Sequence, residues 1–113
     1  FGMTGLETAL PIIIETMVNT GRMDWADVAR VMSTAPARIG GVDTQGRGLV
    51  EGAPAHVTLV DASVRTTVDP AAQWTRSTNC PYRGMELPGQ VRYTIYGGVP
   101  TVVDAAPIAK EDR

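Results

Sequence analysis

A chain of 113 residues, 43% apolar and 19% charged, has the composition of an ordinary globular protein with room for one hydrophobic core. Its net charge of −2 leaves no basic footprint, which argues against a nucleic-acid partner or an anionic membrane surface. The longest apolar stretch, residues 9–14, is interrupted by Pro11 and stops at Glu15, far short of the ~20 residues that span a bilayer.

The first predicted helix covers residues 5–19. Thr4-Gly5-Leu6-Glu7 has the spacing of a capping box, with Thr4 accepting from the Glu7 amide and Glu7 reaching back. Leu6, Leu10, Ile13, Met17 and Val18 then recur on one face, which Ile12 and Ile14 widen. Pro11 cannot donate to the Glu7 carbonyl and its ring crowds it, so a kink or a loosened first turn is expected. Gly21 stands where a left-handed cap belongs. Asp24 is the expected N-cap of a second helix, with Trp25, Val28, Ala29 and Met32 inward, and Asp27 and Arg30 suiting its dipole. Ser33 and Thr34 are then expected to cap a short third helix over residues 36–39, closed by Gly40-Gly41.

The pattern changes after Gly41. Gly46, Gly48, Gly52 and Pro54 mark a loop leading into His56-Val57-Thr58-Leu59-Val60, a β-rich run, and residues 64–68 form a second strand candidate. Residues 70–89, with Pro81, Gly84, Pro88 and Gly89, suggest irregular chain. Residues 91–96 alternate cleanly, Gly97-Gly98 has the form of a two-residue hairpin turn, and residues 99–103 return. Pro100 lacks a donor, which puts the return strand at an edge, and residues 105–113 are expected to fray. Helices first and strands last, with a Gly-rich joint at residues 40–54, imply two structural units.

Chemistry-bearing residues are sparse. A catalytic metal needs three or more converging ligands, and the chain has one histidine and one cysteine with no H-x-H, H-E-x-x-H or C-x-x-C spacing. A complete metal centre within it is therefore not expected. His56 fits a strand-edge residue at a turn. Cys80 has no neighbouring histidine to generate a thiolate and fits a small, partly buried loop residue. As the sole cysteine it also rules out an internal disulfide and suggests a reducing compartment, the cytoplasm. Ser33 and Ser77 lack a nucleophile elbow and a base, and Gly46-x-Gly48 and Gly97-Gly98 lack the strand–turn–helix setting of a dinucleotide site. The segment Phe1-Gly2-Met3-Thr4-Gly5 differs, because it leads to a helix start whose free N–H groups favour an anion such as a carboxylate. The alternative is that its glycines only shape a loop.

Phe1-Gly2-Met3-Thr4-Gly5-Leu6-Glu7-Thr8 resembles the F/P-G-x-x-G-x-E-T segment of bacterial dihydroorotases, in the metallo-dependent amidohydrolase superfamily. The likeness continues in order through Pro36-Ala37-Arg38-Ile39, Gly46-Arg47-Gly48 and the run from Gly52 to Asp61. Ser77-Thr78-Asn79-Cys80-Pro81-Tyr82 resembles S-x-N-T-P-F, and residues 91–99 resemble the closing strand and its turn. The sequence departs from the family at His56, usually Asp or Asn, at Cys80, usually Thr, at Tyr82, usually Phe, and at Ala35, usually Asn.

The resemblance implies an α/β fold. Residues 1–41 would form the C-terminal, helical end of a (β/α)8 TIM-type barrel, and residues 42–113 the strands of a small β-sandwich and a tail. It implies zinc-dependent, reversible hydrolysis of L-dihydroorotate to N-carbamoyl-L-aspartate in pyrimidine (UMP) biosynthesis. Phe1 and Gly2 match the family's substrate-contacting pair. The zinc ligands and the catalytic aspartate would lie upstream of Phe1, so no catalytic or metal-binding residue carries over. The start at Phe1 without a methionine likewise suggests a C-terminal piece of a longer product, inactive by itself. The implied partners are the small-molecule substrate and a homodimer mate or aspartate carbamoyltransferase, with no nucleic acid and no membrane. Competing readings are a related cyclic amidohydrolase such as an allantoinase or hydantoinase, a non-catalytic scaffold subunit for aspartate carbamoyltransferase, and a stand-alone binding module.

Overall fold

The structure, a computed structural model, describes residues 2–108. Helix α1, Ala9–Ile13, continues into a π-helical turn, Ile14–Val18, in which the Asn19 N–H donates to the Ile14 carbonyl at 2.9 Å. The helix thus starts later than residue 5, and the expected capping box does not form. Thr8 is the N-cap, without a side-chain cap bond. Glu7 instead accepts the backbone N–H groups of Trp74 and Thr75 at 3.2 and 2.9 Å. Two amides of a distant loop offer a carboxylate more than one local amide does. The later start also places Pro11 in the first turn, where N–H groups have no intrahelical acceptor, so its missing donor costs nothing there. Leu6 falls outside the helix and is 93% exposed, whereas Ile14 is 1% exposed. Gly21, at φ +73°, closes the element as expected. Its N–H donates to Val18 at 2.9 Å and that of Arg22 to Met17 at 2.8 Å, the paired bonds of a Schellman cap.

Helix α2, Trp25–Ala29, opens on the Asp24 cap, made reciprocal by Asp27. The Asp27 N–H donates to Asp24 at 2.8 Å, the Asp24 N–H to Asp27 at 3.4 Å, and Arg30 pairs with Asp27 at 2.7 Å. Of the expected inner face, Val28 is buried while Trp25, Ala29 and Met32 are exposed. A π-helical turn, Arg30–Thr34, then joins α2 to α3, Ala35–Ile39, without a break. Ser33 and Thr34 therefore do not cap a separate helix: Thr34 and Ala35 keep right-handed helical angles, and the Ala35 N–H donates to Arg30. The wider turn relieves the crowding that Pro36 would cause against the Met32 carbonyl in an unbroken α-helix. Gly41, at φ +65°, ends it with a second Schellman pair, Val42 to Ala37 at 2.9 Å and Gly41 to Arg38 at 3.3 Å.

Four strands make one sheet in the order β1-β2-β3-β4: Val57–Thr67, Glu86–Tyr96, Val99–Val103 and Ala106–Pro107. The two strand candidates before residue 70 are one strand, continuous through Asp61-Ala62-Ser63. Strand β2 begins at Glu86 and takes in Pro88 and Gly89, where irregular chain was expected; Gly89 permits this with a φ of +92° that a side chain would resist. The β2–β3 hairpin is as expected. Tyr96 pairs with Val99 across Gly97-Gly98, whose φ values of +56° and +83° are those of a primed turn. Strand β3 lies between β2 and β4, not at the edge that Pro100 suggested; β4 pairs with Val102 and Val103, which leaves Pro100 without a β4 partner. Residues 106–107 are thus paired, contrary to a frayed tail; residues 109–113 lie outside the described residues.

The architecture is mixed α/β with an antiparallel β2–β3–β4 arrangement. Residues 2–22 with 61–90 form one compact unit, and residues 23–60 with 91–108 form the other. The first holds the buried Thr8, Ile14, Pro70, Cys80, Leu87 and Pro88; in the second, Val28 is the buried apolar residue among those described.

Candidate functional site

In the first unit, Gly2 is exposed at φ +80°, with open space where a Cβ would lie. Backbone conformation, not crowding, therefore requires glycine there. The Asn79 side-chain amide donates to the Gly2 carbonyl. The Asn79 carbonyl in turn accepts the Thr4 N–H at 3.0 Å and its hydroxyl at 3.5 Å. Asn79 is itself held, its N–H donating to the Ser77 hydroxyl oxygen at 3.3 Å, and Glu7 ties the same loop at residues 74–75. Phe1 lies outside the described residues. The expected donors of a helix start are not beside Gly2, because a turn over residues 6–8 precedes α1. Among the described residues the Gly2 and Met3 amides have no acceptor, and these loop donors are what an anion would meet.

Elsewhere on the surface of this unit Arg65 joins Glu15 at 3.2 Å and Glu86 at 2.9 Å. The hydrogen bond from Arg65, helped by that from Asn19, holds the Glu15 carboxyl below its ordinary range. The Arg65 guanidinium is correspondingly raised, first by Glu15 and then by Glu86. Cys80 is buried in the loop, as its residue type suggested.

In the second unit His56 acts as a strap. Its Nδ1 accepts the Gly97 N–H at 3.1 Å, and its ring lies 4.9 Å from that of Tyr96, tilted by 56°. With Nδ1 as acceptor, the ring proton of the neutral form sits on Nε2. A cleft of about 560 Å³ opens beside it, lined among others by Gln45, Leu49, His56 and Tyr96. Gly2 is not part of that cleft, and one histidine among loop residues makes no catalytic constellation. At the β3–β4 turn the Asp104 carboxylate accepts from the Tyr93 hydroxyl at 2.8 Å and from Arg92 at 3.1 Å. The Tyr93 bond first, then Arg92, keeps the Asp104 carboxyl below its ordinary range.

Among the described residues no three histidines, cysteines or carboxylates gather as metal ligands, so the zinc implied by the resemblance has no holder here. No helix among them is long and apolar enough to cross a membrane. Sequence reasoning singled out Gly2 but missed Asn79 and Glu7. The signal was present in the S-x-N and G-x-E spacings, to which no contact could be assigned before the loop was placed.

No protein-family model matches the chain. Among solved structures it is similar to an L-hydantoinase (dihydropyrimidinase) from Arthrobacter aurescens, with a TM-score of 0.84 and 27% identity over 96% of this chain and 24% of that one. A D-hydantoinase from a Thermus species shares the fold at a TM-score of 0.85 and 21% identity, over 98% of this chain and 24% of that one. The class is the cyclic amidohydrolases of the amidohydrolase superfamily. Within that class the chain is similar to the dihydroorotases. It is 54% identical to the dihydroorotase of Streptomyces coelicolor over 91% of this chain, and 47% identical to that of Mycobacterium leprae over 86%. The chain spans about a quarter of the length of these curated relatives, 24% and 23%.

Proposed function

We propose that the full-length protein is a dihydroorotase, hydrolysing L-dihydroorotate reversibly to N-carbamoyl-L-aspartate in the cytoplasm as a step of UMP biosynthesis. The observation that carries this is the exposed, left-handed Gly2 with the open amides of Gly2 and Met3, in a chain 54% identical to a dihydroorotase. In this reading Phe1 and Gly2 meet the substrate carboxylate, residues 1–41 end a (β/α)8 barrel, and residues 42–113 belong to a small β-sandwich. The described residues do not fit a zinc site, so the ligands are assigned to the part of the protein that this chain does not span. Bound there, zinc would supply Lewis-acid activation of water. This chain's own contribution is a rigid backbone edge that orients one end of the ring. A homodimer mate or aspartate carbamoyltransferase is the proposed protein partner.

The test is turnover by the full-length protein, with metal content measured alongside. Dihydroorotate hydrolysis that depends on zinc supports the assignment. Preference for a dihydropyrimidine or a hydantoin would move it to the enzymes of similar fold. Neither zinc nor turnover would leave a scaffold subunit.

A further inference from the structure

Asn79 is held to both ends of the Gly2–Thr4 loop: its side-chain amide donates to the Gly2 carbonyl, and its backbone carbonyl accepts from the Thr4 N–H. The peptide joining Gly2 to Met3 is planar and trans, so its oxygen and its N–H point to opposite sides. Fixing the Gly2 oxygen against Asn79 therefore turns the Met3 N–H away from Asn79 and out of the loop. The Thr4 N–H is already consumed by Asn79, which leaves the Met3 amide as the aimed donor. We infer that Asn79 is a positioning residue. It holds the Gly2–Met3 peptide plane so that the Met3 N–H is presented to the substrate carboxylate.

This inference rests on the reading of Gly2 as the carboxylate-binding edge and names the side chain that sets its geometry. A free loop would spend part of its binding energy on ordering that peptide; a loop pinned on both sides of Met3 has already done so. The brace is in turn fixed by Ser77 and, through residues 74–75, by Glu7, so the orientation does not depend on a floppy partner.

The test uses the full-length protein and the substrate dihydroorotate. Asn79→Asp removes the amide donor and sets a carboxylate against the Gly2 carbonyl, while leaving the backbone bond to Thr4. Loss of one hydrogen bond's worth of orientation should raise KM roughly three- to tenfold, with kcat within about twofold and the melting temperature nearly unchanged. Asn79→Ala, which adds no charge, should raise KM in the same way and decides the matter if the aspartate variant does not fold. An unchanged KM in a folded Asn79 variant overturns the inference, as does a parallel loss of kcat and thermal stability. Gly2→Val is the reference, expected to raise KM more than it harms stability. If it raises KM while the Asn79 variants do not, only the role of Asn79 fails. If it too leaves KM unchanged, the carboxylate edge itself is wrong and the inference falls with it.

Discussion

Gly46 is the position where the structure predicts the largest penalty for adding a single methyl group. Its φ is +66°, and an ideal Cβ built there would lie 2.7 Å from the Ala37 Cβ, 2.9 Å from the Ser33 carbonyl oxygen and 3.0 Å from the Thr34 Cα. None of these is the free end of a flexible side chain, so the turn or the helix must shift. Left-handed backbone costs a non-glycine residue roughly 1–2 kcal/mol, and forced overpacking typically adds about 1–3 kcal/mol. Gly46→Ala should therefore destabilise by about 2–5 kcal/mol. The assay is equilibrium urea unfolding of the full-length protein, comparing midpoints at unchanged slope. Gly48→Ala is the control, since nothing lies within 4 Å of a Cβ there and its φ is not positive. A Gly46→Ala variant within about 0.5 kcal/mol of wild type would refute the close approach of this turn to helix α3.

Ala105 sits at φ +66° beside Asp104, and Ala105→Gly should stabilise by roughly 0.5–1 kcal/mol, read from the same unfolding midpoints. His56→Asn should be nearly neutral, because its side-chain oxygen can take the Gly97 N–H that Nδ1 now accepts, whereas His56→Leu should cost about 1 kcal/mol. Equal losses in the two variants would mean that ring packing on Tyr96, not the hydrogen bond, is what counts. The lowered Asp104 carboxyl contributes stability above the unfolded-state value of an aspartate, about 4, and loses it as the pH falls through the lower folded value. The difference in unfolding midpoint between wild type and Asp104→Asn should thus be present at neutral pH and close on acidification.

Short-range rules read this sequence well where the partner lies within a few residues. The Asp24–Asp27 cap, the left-handed Gly21 and the Gly97-Gly98 hairpin each follow from local chemistry, and each is present. The failures come where a distant segment competes or where the helix itself changes its turn. Glu7 satisfied the pattern of a local cap but serves the amides of residues 74–75, and no spacing rule weighs a bond across more than 60 residues. Ser33 and Thr34 have the composition of a helix start, yet the π-turn before Pro36 lets the helix run through them. His56 explains a departure from the family pattern: Nδ1 stands at the same position along the side chain as the oxygen of Asp or Asn, and accepts the turn N–H. The site divides in the same way. Gly2 was named from its motif, whereas Asn79 joins it in the proposed site only once the loop brings it against the Gly2 carbonyl.

The π-turn at Arg30–Thr34 has an inheritance of its own. A π-turn holds one residue more than the α-helical turn it replaces, which rotates everything after it by about 100°. Deleting one residue there would restore an ordinary helix, drive the Pro36 ring against the carbonyl four places back, and swing Ala37 away from Gly46. The extra residue and the glycine are therefore a matched pair. Losing the first would change the crowding at the second, while the left-handed φ of +66° would go on favouring glycine there.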